Sequence, residues 1–389
     1  MMNYTSIDVN ERWQAFQAAA YAEQVALFEQ SLREGLHQPE MIQDMMQTLY
    51  ERSLRAGEYE RFGGWLTAVQ QQASTIFEEY GGQWLYWQLN QAVASGQAAP
   101  QEAAIRALTA AATDHYGFFL RGLDLLAYRG ETAVIVQMMQ TVWPAVRDDQ
   151  SIYRSATDQF AARATDQIIF RYLGETAVPD PHDATLLAEL GQFFPIDPAG
   201  LGRFFDHLQG RAGQTWHVAD LAGDEMNSQT LAQNWNTLMV AFLGYLHYEE
   251  GIPLSKGDLA RHQFPHYFTS RRTGQLEPRV DMGNLLAQNR PLPTKPDESR
   301  HPLCPDPTTL KEYISKLLHY VKPQLVQAAV IFELTPAWLR FLQKQQLIDA
   351  AEQEEIWQKL QPLATDLADF WHEQHLDLNW EVSVQLVTK

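Results

Sequence analysis

Residues 228–250 read SQTLAQNWNTLMVAFLGYLHYEE, and the spacing of their apolar side chains decides the fold. Leu231, Trp235, Leu238, Met239, Phe242, Leu243 and Leu246 recur three and four positions apart, the period of a helix and not of a strand. So wide an apolar face belongs to a helix buried on most of its sides. Ser228 stands where an N-cap oxygen belongs, and Gly251 and Pro253 end the run.

Working outward toward the C-terminus, the same period predicts a helix over 255–269, capped by Ser255, with Asp258 near its start and Pro265 kinking or ending it. Further helices are expected over 308–320 (Thr308 as cap), 323–332, 336–346 and 349–375. Pro323 and Pro336 sit where first-turn prolines are tolerated. Between them, residues 270–308 form a long irregular, Pro-rich loop holding Pro278, Pro291, Pro293, Pro296, Pro302, Pro305 and Pro307. The tail 376–387 (LDLNWEVSVQLV) alternates apolar and polar residues and is the best strand candidate in the chain.

Toward the N-terminus, residues 9–34 read as one amphipathic helix ending at Gly35, and a second runs from Pro39 to about Ala56. Glycine turns then fall at Gly57, Gly96, Gly130 and Gly174, separated by 39, 34 and 44 residues. The pentapeptide GETAV occurs at both Gly130 and Gly174, each time just after an apolar run. The double glycines Gly63-Gly64 and Gly81-Gly82 read as hinges between helices. The expected fold is therefore all-α: a helical-hairpin repeat array over 1–215, then a second helical domain over 216–389. Gly210 and Gly213 mark the hinge between the two.

Over about residues 10–210, the hairpin length and the small residues near the turns (Ala56, Ala92, Ala94, Ala127) resemble those of tetratricopeptide-like helical-repeat arrays, the α-solenoids. That resemblance implies a groove that binds a peptide or protein. The function it suggests is a protein–protein interaction scaffold or regulatory module.

Composition narrows the alternatives. The net charge is −19, with 48 acidic against 29 basic residues, which argues against nucleic acid or an anionic membrane as partner. No lysine precedes Lys256, whereas Lys256, Arg261, Arg271, Arg272, Arg279, Arg290, Lys295 and Arg300 make 256–300 locally basic. The single cysteine, Cys304, excludes an internal disulfide. With no basic-then-apolar leader and no apolar run long enough to span a bilayer, a cytoplasmic location is expected.

Two sets of residues are candidates for function. For a partner, they are the aromatics Trp84, Trp87 and Tyr116 in a ring-dense stretch, and the cations Arg271 and Arg272, which suit bidentate capture of a carboxylate or phosphate. The alternative is a metal- or anion-dependent enzyme. His262 and His266 are an i, i+4 pair, and His247 with Glu250 (or Glu249) comes across the preceding turn. His301 and Cys304 amount to half a zinc site, and Cys304 reads as a structural thiol. Acidic pairs such as Asp148–Asp149 and the last-turn His372 and His375 read as surface. No phosphate-binding loop, dinucleotide fingerprint, nucleophile elbow or CxxC pair is present. The sequence therefore implies no cofactor and weighs against an enzyme.

Overall fold

A computed structural model describes residues 6–35, 38–222, 228–274, 276, 301–318 and 324–374. Among these, every regular element is an α-helix and none is a strand, so the chain is all-α. The strand candidate at 376–387, most of the Pro-rich segment, and Arg279, Arg290, Lys295 and Arg300 lie outside the described residues. So does the side chain of His372 and all of His375.

The chain divides into two compact units, but not at residue 215. The first holds the residues up to Leu125, then Met138–Tyr153 and the end of the last helix from Trp371. The second holds Leu126–Gln137 and Arg154–Phe370. The expected hinge at Gly210 and Gly213 falls inside the second unit. Both glycines do take left-handed φ, at 68° and 62°, but they form a turn between packed helices.

The first unit is built from α1 (Ser6–Ala18), α2 (Tyr21–Arg33), α3 (Pro39–Ala56), α4 (Arg61–Gln72), α5 (Ser74–Ser95) and α6 (Ala98–Ala110). It also takes most of α7 (Tyr116–Tyr128) and of α8 (Thr132–Asp148). The single helix expected over 9–34 is two. Ala20 is extended (φ −68°, ψ 159°), and the buried amide of Gln24 donates to the carbonyl oxygen of Phe16 at 2.8 Å, satisfying a group the break sets free. Gly63-Gly64 and Gly81-Gly82 are not hinges either, because they lie inside α4 and α5. A Cβ on Gly82 would stand 2.7 Å from His115 Cβ and from Phe118, so this glycine is what allows the two segments to approach.

Gly57, Gly96 and Gly130 close their turns in the left-handed region, as the spacing predicts. Gly174 does not, since it sits in the last turn of α9 (Arg154–Glu175). The two copies of GETAV thus adopt different conformations, a turn at the first and a helix end at the second.

The second unit continues with α10 (Ala184–Leu190), α11 (Pro198–Leu208), α12 (Ala219–Ala222), α13 (Ser228–Tyr248) and α14 (Leu254–Thr273). It ends with α15 (Pro307–Leu318), α16 (Leu325–Glu333), α17 (Thr335–Lys344) and α18 (Ala350–Gln374). Aspartates start three of these helices. Asp183 and Asp197 each accept from two first-turn amides, and Asp306, not Thr308, holds the first turn of α15 through the amide of Thr309 at 3.1 Å.

The core of this unit centres on Trp338 of α17, whose ring lies 5.0 Å from Phe242 and 5.1 Å from Phe264. Helix α14 continues through Pro265 and does not end there. One backbone hydrogen bond is lost there, but Phe264, Tyr267 and Phe268 on either side are buried, and that packing holds the helix together.

Candidate functional site

The five residues expected to meet a partner are mostly committed to the interior. Trp84 is 0% exposed, and its indole N–H donates to Gln43 at 2.7 Å. Trp87 stacks on Tyr50 with ring centres 4.8 Å apart. Both belong to the core of the first unit, so these two indoles are packing and not a binding face. Tyr116 is half-buried at the start of α7.

Arg271 is a buried clasp. Its guanidinium donates to the carbonyls of Cys304 (2.5 Å), His301 (2.9 Å) and Pro302 (3.0 Å), fixing the residues that lead into α15. Trp338 fastens the same stretch by donating to the carbonyl of Leu303 at 2.8 Å. Of the pair expected to grip an anion, only Arg272 is exposed.

The cations described between 256 and 272 are otherwise turned inward. Lys256 pairs with Glu333 at 2.6 Å, both side chains largely buried, and its ammonium lies 4.2 Å from the centre of the Tyr128 ring. Tyr128 in turn donates to Glu333 at 2.7 Å. Locally basic sequence thus serves internal carboxylates, which is what a net-acidic chain must do with carboxylates it buries.

The four proposed metal ligands do not assemble. His247 faces the carbonyl of Ile252 at 3.3 Å. Glu250 is taken by both arms of Arg340, each at 2.8 Å, and accepts from Tyr245 at 2.7 Å. The Arg340 hydrogen bonds hold the Glu250 carboxyl below its ordinary range, while burial, aided by Glu250, pushes the Tyr245 hydroxyl up to about 12. His262 and His266 are both exposed.

Among the described residues, one three-residue group does bring ligand atoms within 4.8 Å of one another: Asp166, Asp258 and His262. The charge it needs is already supplied. Arg261 donates to Asp166 and, through Nε at 2.7 Å, to Asp258, and His262 approaches Asp258 at 3.6 Å. Burial lifts the Asp166 carboxyl above its usual range. It also works against the Arg261 charge, yet the two carboxylates hold the guanidinium firmly protonated. A dication at this position would have to displace Arg261.

His301 Nδ1 lies 3.2 Å from Cys304 Sγ, the spacing of a nucleophile and its base. Burial pushes the thiol up to about 12, which disfavours the reactive thiolate. Cys304 is therefore expected to stay unmodified by a disulfide reagent in native protein at pH 8 and to react fully once urea unfolds it. Rapid labelling of the folded chain would contradict a structural thiol.

What residue spacing did not reveal is a surface cleft of about 600 Å³ in the second unit. Ala241, Gly244 and Tyr245 of α13, at i, i+3 and i+4, form its floor, and Tyr248, at i+7, stands at its exposed edge. Leu208, Gln209, Gly210 and Arg211 at the end of α11 form one wall, and Phe341, Lys344 and Gln345 at the end of α17 form the other. Gly244 sets how closely the first wall approaches, with the carbonyl oxygen of Leu208 standing 1.7 Å from where a Cβ would be.

Tyr248, 49% exposed, is one of the few large apolar side chains left open to solvent among the described residues. The 228–250 segment marked α13 as a buried helix, but no local signal said which neighbours would stop short of covering its last two turns. No known protein family matches the chain, and neither does any curated protein or solved structure.

Proposed function

We propose that this chain is a protein-interaction module and that the α11–α13–α17 cleft receives a segment of its partner. The observation that carries this reading is the pairing of an open cleft with a half-exposed aromatic, Tyr248, at its rim. A ring left in water at the edge of a concave apolar floor is the usual form of an interface anchor. The resemblance to helical-repeat binders supports the same class of function, although only the Leu208–Arg211 wall of the cleft falls within the stretch that carries it. The enzyme alternative has less support, because Glu250, Asp258 and Cys304 are paired internally or held out of their reactive form.

A photocrosslinking residue placed at Gln345 tests the proposal, with Val178, 78% exposed and not among the cleft-lining residues, as the control position. A partner captured from Gln345 alone is then purified and titrated. Tyr248→Ala is expected to weaken its binding about tenfold or more without changing the melting temperature. Equal capture from both positions, or unchanged affinity in the variant, would reject the cleft as the site.

A further inference from the structure

The cleft is lined by the ends of three helices, and each of them is a C-terminus. Helix α11 finishes at Leu208, α13 at Tyr248 and α17 at Lys344, and the residues at and just beyond each end line the same cavity. Amides just beyond each end take up carbonyls of the last turn, as Arg211 does for Asp206, Ile252 for Leu246 and Leu347 for Leu342, so what the three ends contribute is the negative pole of each helix dipole, a field that favours cations.

The lining holds one carboxylate and two cations, Arg211 and Lys344, each of which is already engaged by a carboxylate. The lining carboxylate is that of Glu249, and the amide oxygen of Gln209 has no donor among the described residues. A resident cation shows how the site is used within the chain. Lys344 is paired with Glu249, and its ammonium lies 5.7 Å from the centre of the Tyr245 ring. Lys344 and Glu249 are each about half exposed, at 51% and 46%. Such surface pairs are weak and exchange readily. Arg211, the other cation in the lining, is paired outward with Asp206 at 3.1 Å.

Resting on the reading of the cleft as a docking site, we infer that the docked segment is basic and places an arginine or lysine between Glu249 and the Tyr245 and Tyr248 rings, displacing Lys344. An incoming guanidinium matches a carboxylate with two parallel hydrogen bonds, which an ammonium cannot do. The net charge of −19 steers a basic partner toward the chain from a distance.

The test uses the full chain and three peptides of one length, each carrying leucine and tyrosine, with arginines in the first, glutamines in the second and glutamates in the third. Calorimetric titration is expected to show the arginine peptide binding at least about tenfold more tightly than the glutamate peptide, with affinity falling as salt rises. Lys344→Ala should tighten that binding several-fold by vacating the site, and Glu249→Gln should weaken it.

Equal binding of all three peptides in a Tyr248-dependent manner would keep the cleft as a docking site and overturn the cationic preference. Unchanged affinity in Lys344→Ala would also overturn it. If none of the three peptides binds, the inference falls, and the docking reading is then decided separately by the crosslinking at Gln345.

Discussion

Arg261→Met is expected to destabilise the protein by about 3–5 kcal/mol, the range for removing one partner from a buried ionic group. The side chains of Arg261 and Asp258 are 10% and 7% exposed, and Arg261 is the cation that answers both Asp166 and Asp258. Methionine fills a similar volume, so the loss would reflect stranded carboxylates and not a cavity.

The pH dependence separates these causes. Asp166 already has a raised carboxyl, so its contribution to stability is present at low pH and lost as pH rises through that value. Without Arg261 the carboxyl rises further. The deficit of the variant, measured by urea unfolding, should therefore be largest at pH 7 and shrink as pH falls toward 4. A deficit that is small, or constant with pH, would mean that the carboxylates are solvated well enough to need no counter-charge.

Gly244→Ala is expected to cost more than about 3 kcal/mol and to abolish docking in the cleft, because the obstruction is backbone. The added methyl would stand 1.7 Å from the Leu208 carbonyl oxygen and 2.6 Å from its carbon, leaving no side chain that can turn aside. Helix α11 as a whole would have to lift from α13, loosening the buried Leu201, Phe205 and Leu208.

Two other glycines calibrate the result. At Gly122 the clash, 2.4 Å, is with the end of the Leu108 side chain, which can rotate, so alanine there should cost less. At Gly64, inside α4, nothing lies within 4 Å, and alanine should gain up to about 1 kcal/mol from helix propensity. Thermal melts of the three variants give the ordering, and a Gly244→Ala protein as stable as the parent would disprove the close contact of α11 and α13.

The helices were legible because periodicity reports them directly. The apolar stripe of 228–250 identifies α13 almost to the residue, and Gly57, Gly96 and Gly130 close their turns as expected. The errors arose where long-range packing overrides local pattern. Nothing in the alanines at 18–20 announces a break, which the Gln24 side chain helps to stabilise by donating to Phe16. Nothing local distinguishes the glycines of a hinge from those that admit a neighbour, as at Gly82.

The site was harder to read for the same reason. Trp84 and Arg271 are residue types that favour interfaces, yet the first is core and the second binds carbonyls about thirty positions away in the chain. The cleft depends on where α11 and α17 stop along α13, a relation between elements distant in sequence that no window of sequence encodes.

The interleaved division of the chain bears on how it is made. Residues 126–137 belong with a unit most of which is synthesised after them. Ala127 accepts from the hydroxyl of Ser255, 128 positions later, and Tyr128 meets Glu333 only after a further wait, at a separation of 205. At about 5–20 residues per second on a ribosome, the Tyr128 hydroxyl would wait roughly ten to forty seconds for its Glu333 partner. During that interval an apolar strip is offered to any chaperone or neighbouring nascent chain, so the yield of folded protein should depend on elongation speed more than on the stability of the finished molecule.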